Sequence, residues 1–150
     1  MIRTLAALLF VLVLTACTSQ SGTQLPEADY FVSAGQQFAL RVGETAGVVT
    51  SQAIVLVRFN GVIQDSRCPV DVQCVTAGSA TVLLSVQSAL NVHDVTMDVP
   101  PEGTVELVVD ELTVRAVGVR PNAQQGVTIE PLDYIVGLTV TESGSIPIPG

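Results

Sequence analysis

Few side chains in this sequence can do chemistry: there are three cysteines and one histidine. Cys68 and Cys74 share the stretch DSRCPVDVQCVTAG, which runs from Asp65 to Gly78. Two thiols at that spacing can close a small disulfide ring or offer a metal two thiolates. A closed structural zinc site needs four ligands, and His93 is the only imidazole available to join them. A blue-copper centre needs two histidines and a free cysteine, which this chain cannot supply. Ser66 lies beside Asp65, but nothing makes His93 their partner, and a triad is defined by geometry rather than by proximity in sequence. No Gly-x-Ser-x-Gly elbow occurs. His93 falls in phase with Val95 and Met97 at the start of a strand, where a partly covered histidine is expected rather than a general base. Asp65, Asp71, Asp94 and Asp98 could serve calcium if they met at one end of the fold. They lack the Asp-x-Asp-x-Asp-Gly loop spacing, so solvated acids are expected and a calcium-dependent binding module is the alternative. The expectation is a protein with no catalytic residue, no metal and no cofactor.

The elements that must position these groups are strands. Phe38, Leu40 and Val42 alternate with Ala39 and Arg41. Ala53, Val55, Val57 and Phe59 form one face of a second strand, and Ala80, Val82, Leu84 and Val86 one face of a third. Val95, Met97 and Val99 alternate with Asp94, Thr96 and Asp98. Pro100 to Gly103 supplies a tight turn into Val105, Leu107 and Val109. Asp110-Glu111 is a two-residue link into Leu112, Val114 and Ala116. RPNAQQG makes a longer loop before a last strand from Asp133 to about Thr141. No segment sustains a period of 3.6. About seven short strands with turns between them predict an all-β fold, a single antiparallel two-sheet sandwich of Ig-like type. A small closed barrel is the alternative. Tyr134, at the start of the last strand, suits a tyrosine corner or an ordinary core position.

The chain has 150 residues and a net charge of −8, and all six of its cations are arginines. An acidic, lysine-free surface argues against nucleic acid and against an electrostatic grip on anionic lipid. The first residues, MIRTLAALLFVLVLTAC, place one arginine ahead of an apolar run from Leu5 to Leu14. That is the layout of a secretory signal too short to span a bilayer as a permanent helix. Leu14-Thr15-Ala16-Cys17 resembles the lipobox of bacterial lipoproteins. The resemblance implies cleavage before Cys17, lipid on its sulfur and a protein anchored to membrane by acyl chains. Thr18 resembles the outer-membrane-permissive class of residue after the lipidated cysteine. The implied location is the bacterial cell envelope, on the outer side of the cytoplasmic membrane or on the outer membrane. With Cys17 taken by lipid, Cys68 and Cys74 are the remaining pair in an oxidising compartment, and a disulfide is expected. The domain organisation expected is signal peptide 1–16, lipidated cysteine and flexible tether 17–34, sandwich 35–143 and frayed tail 144–150. The patterned part is enough for one core.

The stretch from Asp65 to Gly78 also resembles a segment of uncharacterised secreted and lipid-anchored bacterial proteins, Asp-Ser-Arg-Cys-Pro, a short loop, then Cys, often followed by Trp-x-Gly or Trp-Ala-Gly. Asp65, Ser66, Arg67, Cys68, Pro69, Cys74, Ala77 and Gly78 match, while Thr76 stands where tryptophan is common. The resemblance imports no activity. Physically, Pro69 fixes a backbone angle inside the ring, and Asp65 and Arg67 are suited to lock the loop by hydrogen bonds or an ion pair. Gly78 permits a backbone conformation that other residues avoid. The stapled loop is then either a stabilised crossover or a rigid presentation of Val70, Asp71, Val72 and Gln73 to an envelope protein partner. A protease inhibitor using this loop is a further alternative, although the loop motifs of chagasin-type inhibitors are absent. The expected function is a non-enzymatic binding or structural accessory role.

Overall fold

The computed structural model describes residues 27–89 and 91–143. The expected signal peptide, Cys17 and the tail 144–150 lie outside the described residues. Period-two patterning becomes nine strands: β1 (Tyr30–Ser33), β2 (Gln37–Arg41), β3 (Thr45–Val49), β4 (Ile54–Asp65), β5 (Ala80–Gln87), β6 (Val92–Val99), β7 (Val105–Val109), β8 (Leu112–Arg120) and β9 (Ile135–Glu142). There is no α-helix among the described residues; a single 3-10 turn, Pro131–Asp133, precedes β9. The strands form two sheets, β1-β3-β4-β5-β6 and β2-β9-β8-β7, packed face to face and not closed into a barrel. All pairings are antiparallel except β1 with β3. The sandwich is wired as two successive meanders, β3 to β6 and β7 to β9, with β1 and β2 added at their margins.

The core lies between the inner faces. Val55, Val57 and Phe59 of β4 and Val82, Leu84 and Val86 of β5 are buried, opposite Val114, Val136, Leu138 and Val140 of the second sheet. Burying side chains of this size, each worth roughly 1.5–3 kcal/mol against exposure, is what holds the two layers together. The strands predicted from alternation are all present. Two others carry no such signal. β3 reads TAGVV and is buried at Thr45, Ala46, Gly47 and Val48, so no polar residue marks an outer face. Gly47 is covered by the ring of Phe31 from β1, and any side chain there would overlap that ring. β1 lies in the stretch expected to be tether, 17–34. The ordered fold therefore begins earlier than residue 35: Asp29 already donates its backbone N–H to Thr45. The Tyr30 hydroxyl donates to the Ala39 carbonyl at 2.5 Å, tying β1 to β2 in the other sheet.

β4 is the longest strand, at 12 residues. Its register against β5 slips at Gly61, whose φ of 143° suits a bulge. The strand continues past the end of β3 and delivers Asp65 to one pole of the sandwich. That loop pole carries residues 27–29, the turn after β2, the segment 66–79, the turn 100–104 and the segment 121–134. The far pole carries the turns after β1, β3, β5 and β7 and the end of β9.

Candidate functional site

Beyond β4 and β5 the backbone ladder continues into the stapled segment. Ser66 donates its N–H to the Ser79 carbonyl at 2.8 Å, and Cys68 donates to the Ala77 carbonyl at 2.8 Å. The Cys68–Cys74 disulfide closes the tip. Inside the ring, Val72 donates its N–H to the Pro69 carbonyl, making the tight turn for which Pro69 is suited. Gly78 sits at φ +65°, and a Cβ there would overlap the Ser66 carbonyl. Both requirements, a left-handed backbone and a close strand approach, select glycine.

Arg67 organises the pole. Its side chain is only 4% exposed. Nε donates to Asp65 Oδ1 at 2.9 Å and one terminal nitrogen to Asp65 Oδ2 at 2.6 Å, a bidentate fork. The guanidinium also donates to the Val119 carbonyl at 2.7 Å and the Pro121 carbonyl at 3.0 Å. The Arg67 backbone N–H donates to Asp65 Oδ1 at 3.1 Å, and the Tyr134 hydroxyl donates to Asp65 Oδ2 at 3.1 Å. One ion pair thus joins β4 of the first sheet to the end of β8 and the approach to β9 in the second. Desolvation pushes the Asp65 carboxyl upward, but the hydrogen bonds and charge of Arg67, helped by Tyr134, hold it below its ordinary value. Tyr134 is raised, first by desolvation and then by its bond to the Asp65 carboxylate. Tyr134 is thus a buried core aromatic whose hydroxyl bonds the Asp65 side chain, not the nearby upstream backbone that a tyrosine corner requires.

The loop, read as either a stabilised crossover or a surface presented to a partner, is stitched to the scaffold. Val70 donates its N–H to the Ala123 carbonyl at 2.9 Å, and the Asp71 carboxylate accepts from the Gln125 N–H at 2.9 Å. Val72 is half-buried, while Val70 and Gln73 are exposed. The segment 121–125 supplies most of these partners through its backbone. Carbonyls and N–H groups are common to every residue, so no sequence signal announces that role.

The other chemically able residues are dispersed. His93, the second residue of β6, has its side chain 40% exposed, and Nε2 lies 3.1 Å from Asp110 Oδ2 at the far pole. Asp94 accepts from the Ser85 hydroxyl, and Asp98 from the Thr81 hydroxyl at 2.5 Å, both on the outer face of the first sheet. Asp65, Asp71, Asp94 and Asp98 therefore bind separate partners and share none. Among the described residues, no group of three or more His, Cys, Asp and Glu side chains could hold a metal ion. The Ser66 hydroxyl donates to the Ser79 carbonyl, while His93 pairs with Asp110 at the far pole.

Of the hollows on the described surface, two bear on function. One, of about 680 Å³, lies on the outer face of the first sheet and sets Arg58 among Glu27, Asp29, Thr45 and Ser85. The other, of about 460 Å³, opens at the far pole between the ends of the two sheets. Comparison of the chain with protein-family models, with curated proteins and with solved structures finds no match in any of the three.

Proposed function

We propose that this chain is a lipid-anchored protein of the bacterial cell envelope that acts without catalysis, as a binding or structural accessory, and that its stapled loop is architecture. The observation that carries the reading of the loop is the engagement of its polar groups. Asp65, Arg67 and Tyr134 are bonded to one another and to the β8 end, and Asp71 is bonded to Gln125. A pole built to act on a substrate or to grip a partner leaves donors and acceptors facing outward. Here the side chains of Asp65, Arg67, Tyr134 and Asp71 instead fix one segment to the other. The anchoring is supported by the apolar run ahead of Leu14-Thr15-Ala16-Cys17.

Metabolic labelling with a fatty-acid analogue tests the anchor. Label should appear on the wild-type chain and vanish with Cys17→Ser, which should also release or stall the precursor. Equal labelling of both proteins rules out lipid on Cys17.

A further inference from the structure

We infer that β6 is a docking edge: it takes up, as an added antiparallel strand, an extended segment of a partner protein that carries arginine or lysine at alternate positions. β6 and β7 are the end strands of the two sheets at one margin of the sandwich. At the other margin the Tyr30 hydroxyl of β1 already donates to the Ala39 carbonyl of β2. The other end strands are four or five residues long, whereas β6 has eight. Its register against β5 runs unbroken from Val92 to Val99. It has no proline, lysine or bulge to blunt the edge, only the charges of Asp94 and Asp98.

Antiparallel geometry identifies the free backbone groups. Ser66 donates its N–H to the Ser79 carbonyl, so the odd-numbered residues along β5 bond toward β4 and the even-numbered ones toward β6. The turn bond from Ser88 to Asn91 obeys the same alternation. In β6, residues 93, 95, 97 and 99 therefore bond β5, and the N–H and C=O groups of Asp94, Thr96 and Asp98 point out from the edge. No turn, loop or side-chain group among the described residues bonds them. Side chains select the occupant. Asp94 and Asp98 accept from the Ser85 and Thr81 hydroxyls, which holds both carboxylates on the outer face without cancelling their charge. Neither β5 nor β6 carries an arginine. On the inner face, Val95 of β6 and Val105 and Leu107 of β7 are only partly buried. An added strand thus meets acids with one face and apolar side chains with the other, which suits cations alternating with residues such as valine. A second copy of this chain does not fit, because antiparallel pairing of β6 with itself about Thr96 sets Asp94 against Asp98 twice. In strand addition the backbone bonds supply affinity and the alternate side chains supply specificity. This inference rests on the binding reading above and names the partner's chemistry.

The test is titration of the purified full chain with the probe acetyl-Thr-Arg-Val-Arg-Val-Arg-Thr-amide, its analogue with glutamate for each arginine, and two N-methylated forms. The arginine peptide should bind and the glutamate peptide should not. N-methylation at the three arginines removes the donors that face β6 and should weaken binding by at least about tenfold. N-methylation at the two valines, whose N–H groups face away, should change it by less than about threefold. Thr96→Pro deletes an outward donor that an edge strand can lose without unfolding, so it should weaken the peptide while the sheet signal in circular dichroism persists. Asp94→Lys with Asp98→Lys should reverse the preference toward the glutamate peptide, an arm that does not depend on the proline variant folding. Binding of neither peptide or of both alike, indifference to the position of the N-methyl groups, or an unreversed preference overturns the inference. A dimer of the chain formed through β6 and dissolved by Thr96→Pro also overturns it. Capture of an envelope partner that Thr96→Pro leaves intact would sink this inference and leave the binding reading standing, and none of these results bears on fatty-acid labelling at Cys17.

Discussion

Replacing Arg67 by methionine keeps the volume and flexibility of the side chain while removing its charge and donors. In the wild type, its side-chain donors meet both Asp65 oxygens, the Val119 carbonyl and the Pro121 carbonyl. The substitution leaves the Asp65 carboxylate with the Arg67 backbone N–H and the Tyr134 hydroxyl as its remaining partners. Two backbone carbonyls at the end of β8 also lose a donor. Removing one partner of a buried ion pair costs about 3–5 kcal/mol. The Asp65 side chain is 16% exposed and can recover some hydration, which places the expected loss near the lower end, about 3 kcal/mol. For a domain of this size that corresponds to a fall in Tm of roughly 12 °C. Urea unfolding of wild type, Arg67→Met, Asp65→Asn and the double variant closes a thermodynamic cycle. The double variant should recover part of the loss, because it no longer strands a charge. A loss below about 1 kcal/mol for Arg67→Met, the range of an exposed ion pair, would refute the claim that this pair ties the sheets together.

Removing the disulfide with Cys68→Ser and Cys74→Ser should lower stability by about 2 kcal/mol while leaving the sheet signal in circular dichroism intact; collapse of that signal contradicts a core independent of the ring. Gly78→Ala should cost at least about 1–2 kcal/mol for the left-handed backbone, with a further cost from overlap with the Ser66 carbonyl. A near-neutral melt would show that the segment 66–79 is not held as described. The depressed Asp65 carboxyl contributes stability that is present above the ordinary aspartate value of about 3.9 and is lost as pH falls through its lower folded value. Asp65→Asn should therefore flatten the acid side of the urea-midpoint profile below about pH 4, and an unchanged slope there contradicts the pairing.

Most of the fold was legible because its signals are local. Val95, Met97 and Val99 alternate with the polar Asp94, Thr96 and Asp98, and Val55, Val57 and Phe59 keep period two; each set became a strand with those residues inward. β3 was hidden because Thr45 to Val48 is covered on both sides, which erases alternation. β1 was hidden because four residues after a polar stretch carry too little pattern, and its place depends on the Phe31 ring meeting Gly47. At the site, the roles of Asp65, Arg67 and Gly78 followed from residue type and spacing. The partners did not. Tyr134 lies 69 residues from the aspartate it binds, and Val119, Pro121 and Ala123 contribute only carbonyls.

Crosslinking in the native envelope tests the central claim, that the stapled loop is architecture and recognition lies elsewhere. The variant for it combines Val70→Ser, Gln73→Ala and Val75→Ser, all exposed positions, and keeps Asp71 to hold Gln125. The partners captured by the wild-type chain should be captured in equal yield by this variant, with Tm unchanged. Loss of capture by the loop variant at unchanged Tm would contradict the account and make the stapled loop the recognition surface.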